Sequence, residues 1–309
     1  MPAIRTAWLQ IHLCVFLWGF TAVFGRLITL PALPLVMWRM ALVAALLFCL
    51  PQVWQGVRVL SRRHFWAFSG VGVLVALHWL SFYGAVKLAN ASVAATCMAT
   101  IPVFLCVIEP LVTGRAFSAR ELVLGLLVLP GIALVVGGTP QQMNAGVWTG
   151  IGSALLAALF TAYNKRLIHR TDALSATALE MLSGGIVVFI VAILLALGPE
   201  SSGDGVFLPA SVELFQFPAG QNLLYLLLLA IACTLFPFAL SLRALRHLSA
   251  YASALAVNLE PIYAMVLAVL LLGEQRELGL AFYAGAAIIL GVVFVYPLLF
   301  RPRAPATLV

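Results

Sequence analysis

The sequence predicts an all-α integral membrane protein with ten transmembrane helices arranged as two inverted five-helix repeats. Three observations carry that expectation. Hydrophobic residues fill 64% of the 309 positions and charged residues only 9%, with a mean hydropathy of +1.12. A soluble chain carries about 25% charged residues, so this one lacks the charges to cover a water-facing surface, and the bilayer is its solvent. The apolar residues fall into ten runs close to the length of about 20 residues that a span needs. A nine-residue signature also occurs twice. Phe20-Thr21-Ala22, three residues, then Arg26-Leu27-Ile28 returns as Phe160-Thr161-Ala162, three residues, then Arg166-Leu167-Ile168.

In order, the expected spans are 8–28, 34–55, 66–87, 92–113, 119–138, 147–165, 173–197, 221–242, 250–272 and 278–300. They are separated by charge or turn clusters: Arg58 to His64, Gly114-Arg115, Thr139-Pro140 and Gly198-Pro199. The one long connection, 198–220, is polar and carries Glu200, Asp204 and Glu213. With the N-terminus inside, the inner segments hold 13 of the 17 basic residues, from Arg5 through the 58–63, 115–120, 165–170 and 243–246 clusters to Arg303. That bias fixes orientation by the positive-inside rule. It predicts a multi-pass protein of the cell (inner or plasma) membrane with both termini cytoplasmic. The same rule explains the net charge of +7 without nucleic acid. All five cysteines lie in apolar runs without paired spacing, which reads as small buried hydrophobes and gives neither a disulfide framework nor a metal site. Arg5 runs straight into a long span with no small-residue cleavage site, so no signal peptide is expected.

The repeat frame divides the chain at about residue 140. Residues 1–140 hold spans 1–5 and residues 141–309 hold spans 6–10. Five is odd, so the halves point in opposite directions, the arrangement that builds a site reachable from either side of a membrane. The register continues past the signature: Trp38-Arg39-Met40 aligns with Leu179-Glu180-Met181, 141 residues on, and Pro102 with Gly114 aligns with Pro261 with Gly273, 159 on. The longer loop at 198–220 absorbs the difference.

The ninth span and its exit, Leu259-Glu260-Pro261-Ile262-Tyr263 through Leu271-Leu272-Gly273-Glu274-Gln275, resemble the hallmark of EamA-type transporters in the drug/metabolite transporter superfamily. The tenth span, with Gly285, Ile288, Ile289, Gly291 and Val292, resembles that family's closing helix. The resemblance implies a basket of helices around a central cavity, with the fifth helix of each half on the periphery. It also implies alternating access for small metabolites, often export of amino acids or related compounds. The first half departs from the pattern: Arg115 stands where Glu274 stands in the second, and Glu109-Pro110 lies upstream of it.

An ionisable side chain at the centre of a span costs at least about 2.5 kcal/mol, so one that persists faces a cavity or a partner. Arg39, Glu109, Glu180 and Glu260 lie inside spans. Glu260 is near mid-membrane before Pro261, which frees a helical carbonyl; cavity function and a structural ion pair both fit it. Arg39 reads as a holder of a substrate carboxylate, as an outer gate closing against Glu260, or as a snorkelling cation. Glu109 is expected to pair with Arg115 or another loop arginine as an inner gate. Glu109, Glu180 and Glu260 form the gating or proton-coupling set. His78, Trp79 and Tyr83 cluster on span 3, where a histidine suits either a proton relay or a packing hydrogen bond. Trp18 and Thr21 on span 1, Thr161 and Asn164 on span 6, and Asn258 and Tyr263 on span 9 complete the expected cavity lining.

These readings describe a secondary carrier for a small metabolite, with an amino acid or derivative as cargo and export as direction. Protons are a candidate coupling partner. No cofactor, metal or catalytic group is expected, and no Walker motif supplies ATP. A lipid or lipid-linked-sugar flippase on the same fold is the alternative. An intramembrane enzyme is disfavoured, because Ser183-Gly184-Gly185 lacks nucleophile-elbow flanks and no HExxH occurs.

Overall fold

The computed structural model describes residues 2–197, 206–207, 214–257 and 259–299, and among them all regular structure is helical. The first half contains α1 (Pro2–Leu27), α2 (Ala32–Phe48), α3 (Pro51–Arg58), α4 (Arg62–Leu88), α5 (Ala91–Met98), α6 (Ile101–Thr113), α7 (Ala119–Leu127) and α8 (Leu129–Gly138). The second contains α9 (Asn144–Leu167), α10 (Ala173–Ala196), α11 (Gly220–Ala230), α12 (Phe236–Leu245), α13 (Ala250–Val257), α14 (Glu260–Leu272) and α15 (Leu280–Leu299). Seven of the described helical stretches are long and apolar enough to cross a bilayer. An eighth, α2 with α3, bends by 93°, and Glu260–Leu272 and Leu280–Val292 are shorter apolar helices.

Proline accounts for most of the breaks inside the expected spans. Pro51 starts α3, so the span expected at 34–55 ends at Phe48 and turns sharply. Pro102, Pro130, Pro237 and Pro261 each sit in the first turn of α6, α8, α12 and α14, where the missing N–H costs nothing. The expectation that all five cysteines are buried fails at one. Cys14, Cys97, Cys106 and Cys233 are buried, but Cys49 is exposed because the chain leaves the bundle at that turn.

Helices pack across the halves in matching pairs. α1 packs on α12 and α14, while its counterpart α9 packs on α4 and α6. α2 and α10 pack on each other, as do α8 and α15. The α8–α15 pair runs antiparallel and depends on glycine. A Cβ at Gly138 would lie 2.1 Å from the Phe282 nitrogen, and one at Gly131 would lie 2.9 Å from the Gly285 oxygen. Small residues there let two backbones touch, the usual basis of helix association in lipid.

The duplicated signature has a structural counterpart. Lys87 donates from Nζ to the Ile28 carbonyl, at the end of the first copy. Arg246, 159 residues on, donates from Nη2 to the carbonyls of Ile168 (3.4 Å) and Thr171 (2.6 Å), at the end of the second. A cation thus satisfies the orphan carbonyls at each copy's helix C-terminus. Most of the 198–220 connection, including Glu200, Asp204 and Glu213, lies outside the described residues. Val206 and Phe207 within it accept from the first N–H groups of α2, Ala32 and Leu33, at 2.8 and 3.1 Å.

Candidate functional site

A cavity of about 110 Å³ opens between the halves, lined by residues from both. Carried through the chain, the repeat register (140 at the signature, 159 beyond the long loop) shows that much of its wall consists of equivalent positions. Thr21 and Thr161 are equivalent, as are Trp79 and Phe238, Phe82 and Ser241, Tyr83 and Leu242, Met98 and Val257, and Ile101 and Glu260. The cavity therefore sits at the relation between the repeats, and its chemistry comes from where the paired residues differ.

Arg39 is the dominant charge of the site. It leaves the second turn of α2 fully inside the protein, 3% exposed. Its Nε donates to Thr234 Oγ1 and its Nη1 to the Tyr83 hydroxyl, both at 2.6 Å. Its guanidinium carbon lies 3.7 Å from the centre of the Trp79 ring, a cation–π contact. Nη2 also reaches the Cys233 carbonyl at 3.5 Å. That carbonyl is available for a local reason: in a regular helix it would accept from residue 237, which is proline. The turn Ile231–Leu235 is correspondingly widened to a π-helix, and Thr234 Oγ1 donates to Leu229 O at 2.6 Å, five residues back. π-bulges of this kind recur at functional sites. Among the described residues the ion pairs are those of Arg115, so Arg39 is a buried cation held by neutral groups. Of its five N–H donors, two remain for the cavity.

Glu260 lines the same cavity from the start of α14, 8% exposed. His78 bonds through Nδ1 to the Ser153 hydroxyl (2.8 Å) and carbonyl (3.0 Å) of α9, while its ring packs on Phe160. This is the packing arrangement, although the ring remains on the cavity wall. Thr21 turns its hydroxyl back to the Trp18 carbonyl, so the Trp18–Thr21 face borders the cavity as a unit.

Of the other expected site residues, Thr161 and Asn164 line the cavity as well, and Asn258 lies outside the described residues. Tyr263 is displaced from the expected lining: it is 37% exposed and packs edge-on against Phe16 at 5.6 Å. The tight α1–α14 contact at Gly19, where a Cβ would meet Tyr263 Cβ at 2.6 Å, holds it there. Glu180 is one layer behind the wall, 0% exposed, accepting from Asn164 Nδ2 at 3.3 Å. Its Oε1 and the Asn164 Oδ1 have no hydrogen-bond partner among the described residues. Thr234, Phe82, Phe160, Phe238 and Ser241 are lining residues absent from the sequence-based set. The 159-residue offset applied to Trp79 and Tyr83 would have found two of their neighbours on α12.

Two further described carboxylates, Glu274 and Glu109, cap helices. Glu274, one residue past the left-handed Gly273 that ends α14 (φ 71°), accepts from the Ala91 and Ser92 N–H groups at 3.0 and 2.9 Å and from Ser92 Oγ at 2.7 Å. It therefore closes the start of α5 in the opposite half. Gly114 ends α6 in the same conformation (φ 75°), but the following residue is Arg115, which has no acceptor. Glu109 takes over, accepting from Ala250 N–H at the start of α13 at 3.0 Å, with Arg115 Nη2 3.7 Å from its Oε2. Arg115 is fixed in turn by two bonds to Glu121. Among the described residues no three His, Cys, Asp or Glu side chains converge to hold a metal ion.

The chain matches the model of the EamA-like transporter family twice, over residues 6–137 and 144–296. A solved crystal structure shares its fold, with a TM-score of 0.67 and 18% identity over 96% of this chain and 98% of its own. No curated protein matches the sequence.

Proposed function

The chain belongs to the EamA-like transporter family of multi-pass membrane proteins that carry small molecules, and we propose that its cargo is an amino acid or amino-acid derivative exported by alternating access. The observation that carries this reading is Arg39: a buried cation without an ion pair among the described residues, facing a cavity with two N–H donors unused. Holding a cation without a direct ion pair at that depth is costly, and a carboxylate arriving from solution offsets the cost with charge-assisted bonds. Glu260 supplies a negative group in the same cavity for a substrate ammonium. Trp79, Phe82, Phe160 and Phe238 give the apolar wall for a side chain. The cavity is smaller than an engineered cavity of about 150 Å³ that admits benzene, which favours a cargo of few heavy atoms or an opening motion of the wall.

Ten spans in two inverted halves of five, with residues 1–140 and 141–309 as the repeats and both termini cytoplasmic, complete the reading. In that frame Glu109 ends a helix on the inner side and Glu274 on the outer side. Each closes the other half's helix, so opening either side breaks one cap. Glu180 is the candidate proton carrier, because one proton on its Oε1 would let it donate to Asn164 Oδ1 and satisfy both orphan oxygens.

The test is a thermal-shift screen of purified protein against amino acids, amines lacking the carboxylate, nucleosides, sugars and polyamines. Binding stabilises the folded state by about 2.7 kcal/mol at a hundred times Kd. Amino acids should raise the melting temperature and their decarboxylated amines should not; the reverse order sinks the assignment. Glu260→Gln should weaken free amino acids more than their N-acyl derivatives. With a lipid-linked sugar added to the screen, stabilisation by it alone would place the chain with flippases instead.

A further inference from the structure

Outside the central cavity, a groove of about 670 Å³ runs along the α4–α9 contact. One wall is the α4 stripe Arg63, Trp66, Ala67, Gly70, Val71 and Leu74, spaced as one helical face. The opposite wall is Leu159, Tyr163, Arg166 and Arg170, again one face of α9 and the turn after it. The two helices are antiparallel, since His78 meets Ser153 and Ala89 meets Gly146. All three arginines consequently gather at one end, and Val71, Leu74 and Leu159 occupy the other.

Two features distinguish this groove from an ordinary seam between spans. Arg63, Arg166 and Arg170 are exposed and take part in none of the ion pairs among the described residues, so three positive charges line one groove without a direct ion-pair partner. Its floor is also open: a Cβ at Gly70 would meet nothing within 4 Å. From Arg63 to Leu74 the helix rises about 16 Å, close to half of a hydrocarbon core of about 30 Å. Trp66 (62% exposed) and Tyr163 (38% exposed) stand between the charged and apolar ends, at the level where amphipathic rings mark the membrane interface.

We propose that this groove binds an anionic phospholipid, with the phosphate held by Arg63, Arg166 and Arg170 and one acyl chain laid along Gly70, Val71, Leu74 and Leu159. Basic pockets between spans suit anionic headgroups, and guanidinium forks match phosphate oxygens. The bound lipid bridges α4 of the first half and α9 of the second, the two helices that carry His78, Trp79, Tyr83, Thr161 and Asn164 on their inner faces. The site is separate from the substrate proposal and stands or falls independently of it.

Native mass spectrometry of the full chain in uncharged detergent tests the site with phosphatidylglycerol and phosphatidylcholine of identical chains. Wild type should retain phosphatidylglycerol over phosphatidylcholine. The exposed triple variant Arg63→Gln/Arg166→Gln/Arg170→Gln should lose that preference, by about fivefold per arginine and roughly a hundredfold in all. Gly70→Leu, which keeps every charge and has room for its side chain at the backbone, should weaken phosphatidylglycerol by filling the acyl path. Brominated-chain phosphatidylglycerol should quench a tryptophan fraction that disappears in Trp66→Phe. Equal retention of the two lipids by wild type, or undiminished phosphatidylglycerol binding in the triple variant, would overturn the site. Full displacement by soluble glycerol phosphate would show a free-phosphate site and reject the lipid.

Discussion

Replacing Glu274 with Gln isolates what a carboxylate does at the junction between the halves. Glu274 is 1% exposed and accepts three hydrogen bonds, two from the backbone of Ala91 and Ser92 and one from Ser92 Oγ. Glutamine keeps one acceptor oxygen and presents an NH2 group to the donors that the second oxygen satisfied. One buried N–H is then left without a partner, at a cost of about 1–3 kcal/mol, which is about 5–150-fold in a local opening equilibrium. Hydrogen exchange resolved to the first turn of α5 reads this directly. In Glu274→Gln the Ala91 and Ser92 amides should exchange faster by that factor, while those at 250–252 stay as in wild type. Glu109→Gln should do the converse, exposing the Ala250 amide, whose N–H donates to Glu109 Oε1 at 3.0 Å, and leaving α5 unchanged. If either variant speeds both segments equally, the caps are not independent. If neither speeds its own segment, the carboxylates do not close these helices and the gate reading is wrong.

Three other outcomes follow from named contacts. Gly138→Ala should lower the melting temperature by the equivalent of at least about 1–3 kcal/mol of overpacking, because its Cβ would press on the Phe282 backbone. Gly137→Ala, with nothing within 4 Å, should leave it unchanged. Thr234→Val removes the acceptor of Arg39 Nε and should weaken amino-acid binding by about 1.5–3 kcal/mol, the range for a bond to a charged group, read by isothermal titration. Tyr83→Phe should weaken binding by a similar amount through Nη1, and Thr234→Val with Tyr83→Phe should be non-additive, since both hold one guanidinium.

Much of this architecture was legible from residues. Composition and apolar run length gave the membrane, and the Phe-Thr-Ala…Arg-Leu-Ile repeat gave the frame in which Lys87 and Arg246 cap equivalent carbonyls. Intramembrane charge drew attention to Arg39 and Glu260, and the aromatic cluster on α4 to Trp79 and Tyr83; these do converge. Other features depend on geometry that pattern does not carry. Thr234 matters because Pro237 releases a carbonyl and widens a turn, a backbone effect invisible in a hydropathy profile. Tyr263 shares a helical face with Glu260 by spacing, but Gly19 lets α1 close over it. Glu109 does not align with Glu274 in the repeat. Its cap appears only in the geometry, where Arg115 occupies the aligned position and a carboxylate six residues earlier reaches the same kind of helix start.

Counterflow in proteoliposomes tests most directly the proposal that Arg39 holds a substrate carboxylate. Protein is reconstituted with an amino acid identified by thermal shift, and uptake of label is followed for wild type and Arg39→Gln. A melting curve checks that the variant is folded; it should lose two charge-assisted bonds to the substrate carboxylate of about 1.5–3 kcal/mol each and with them more than about a hundredfold in kcat/KM. Counterflow by Arg39→Gln at the wild-type rate and KM would show that Arg39 does not hold the substrate carboxylate.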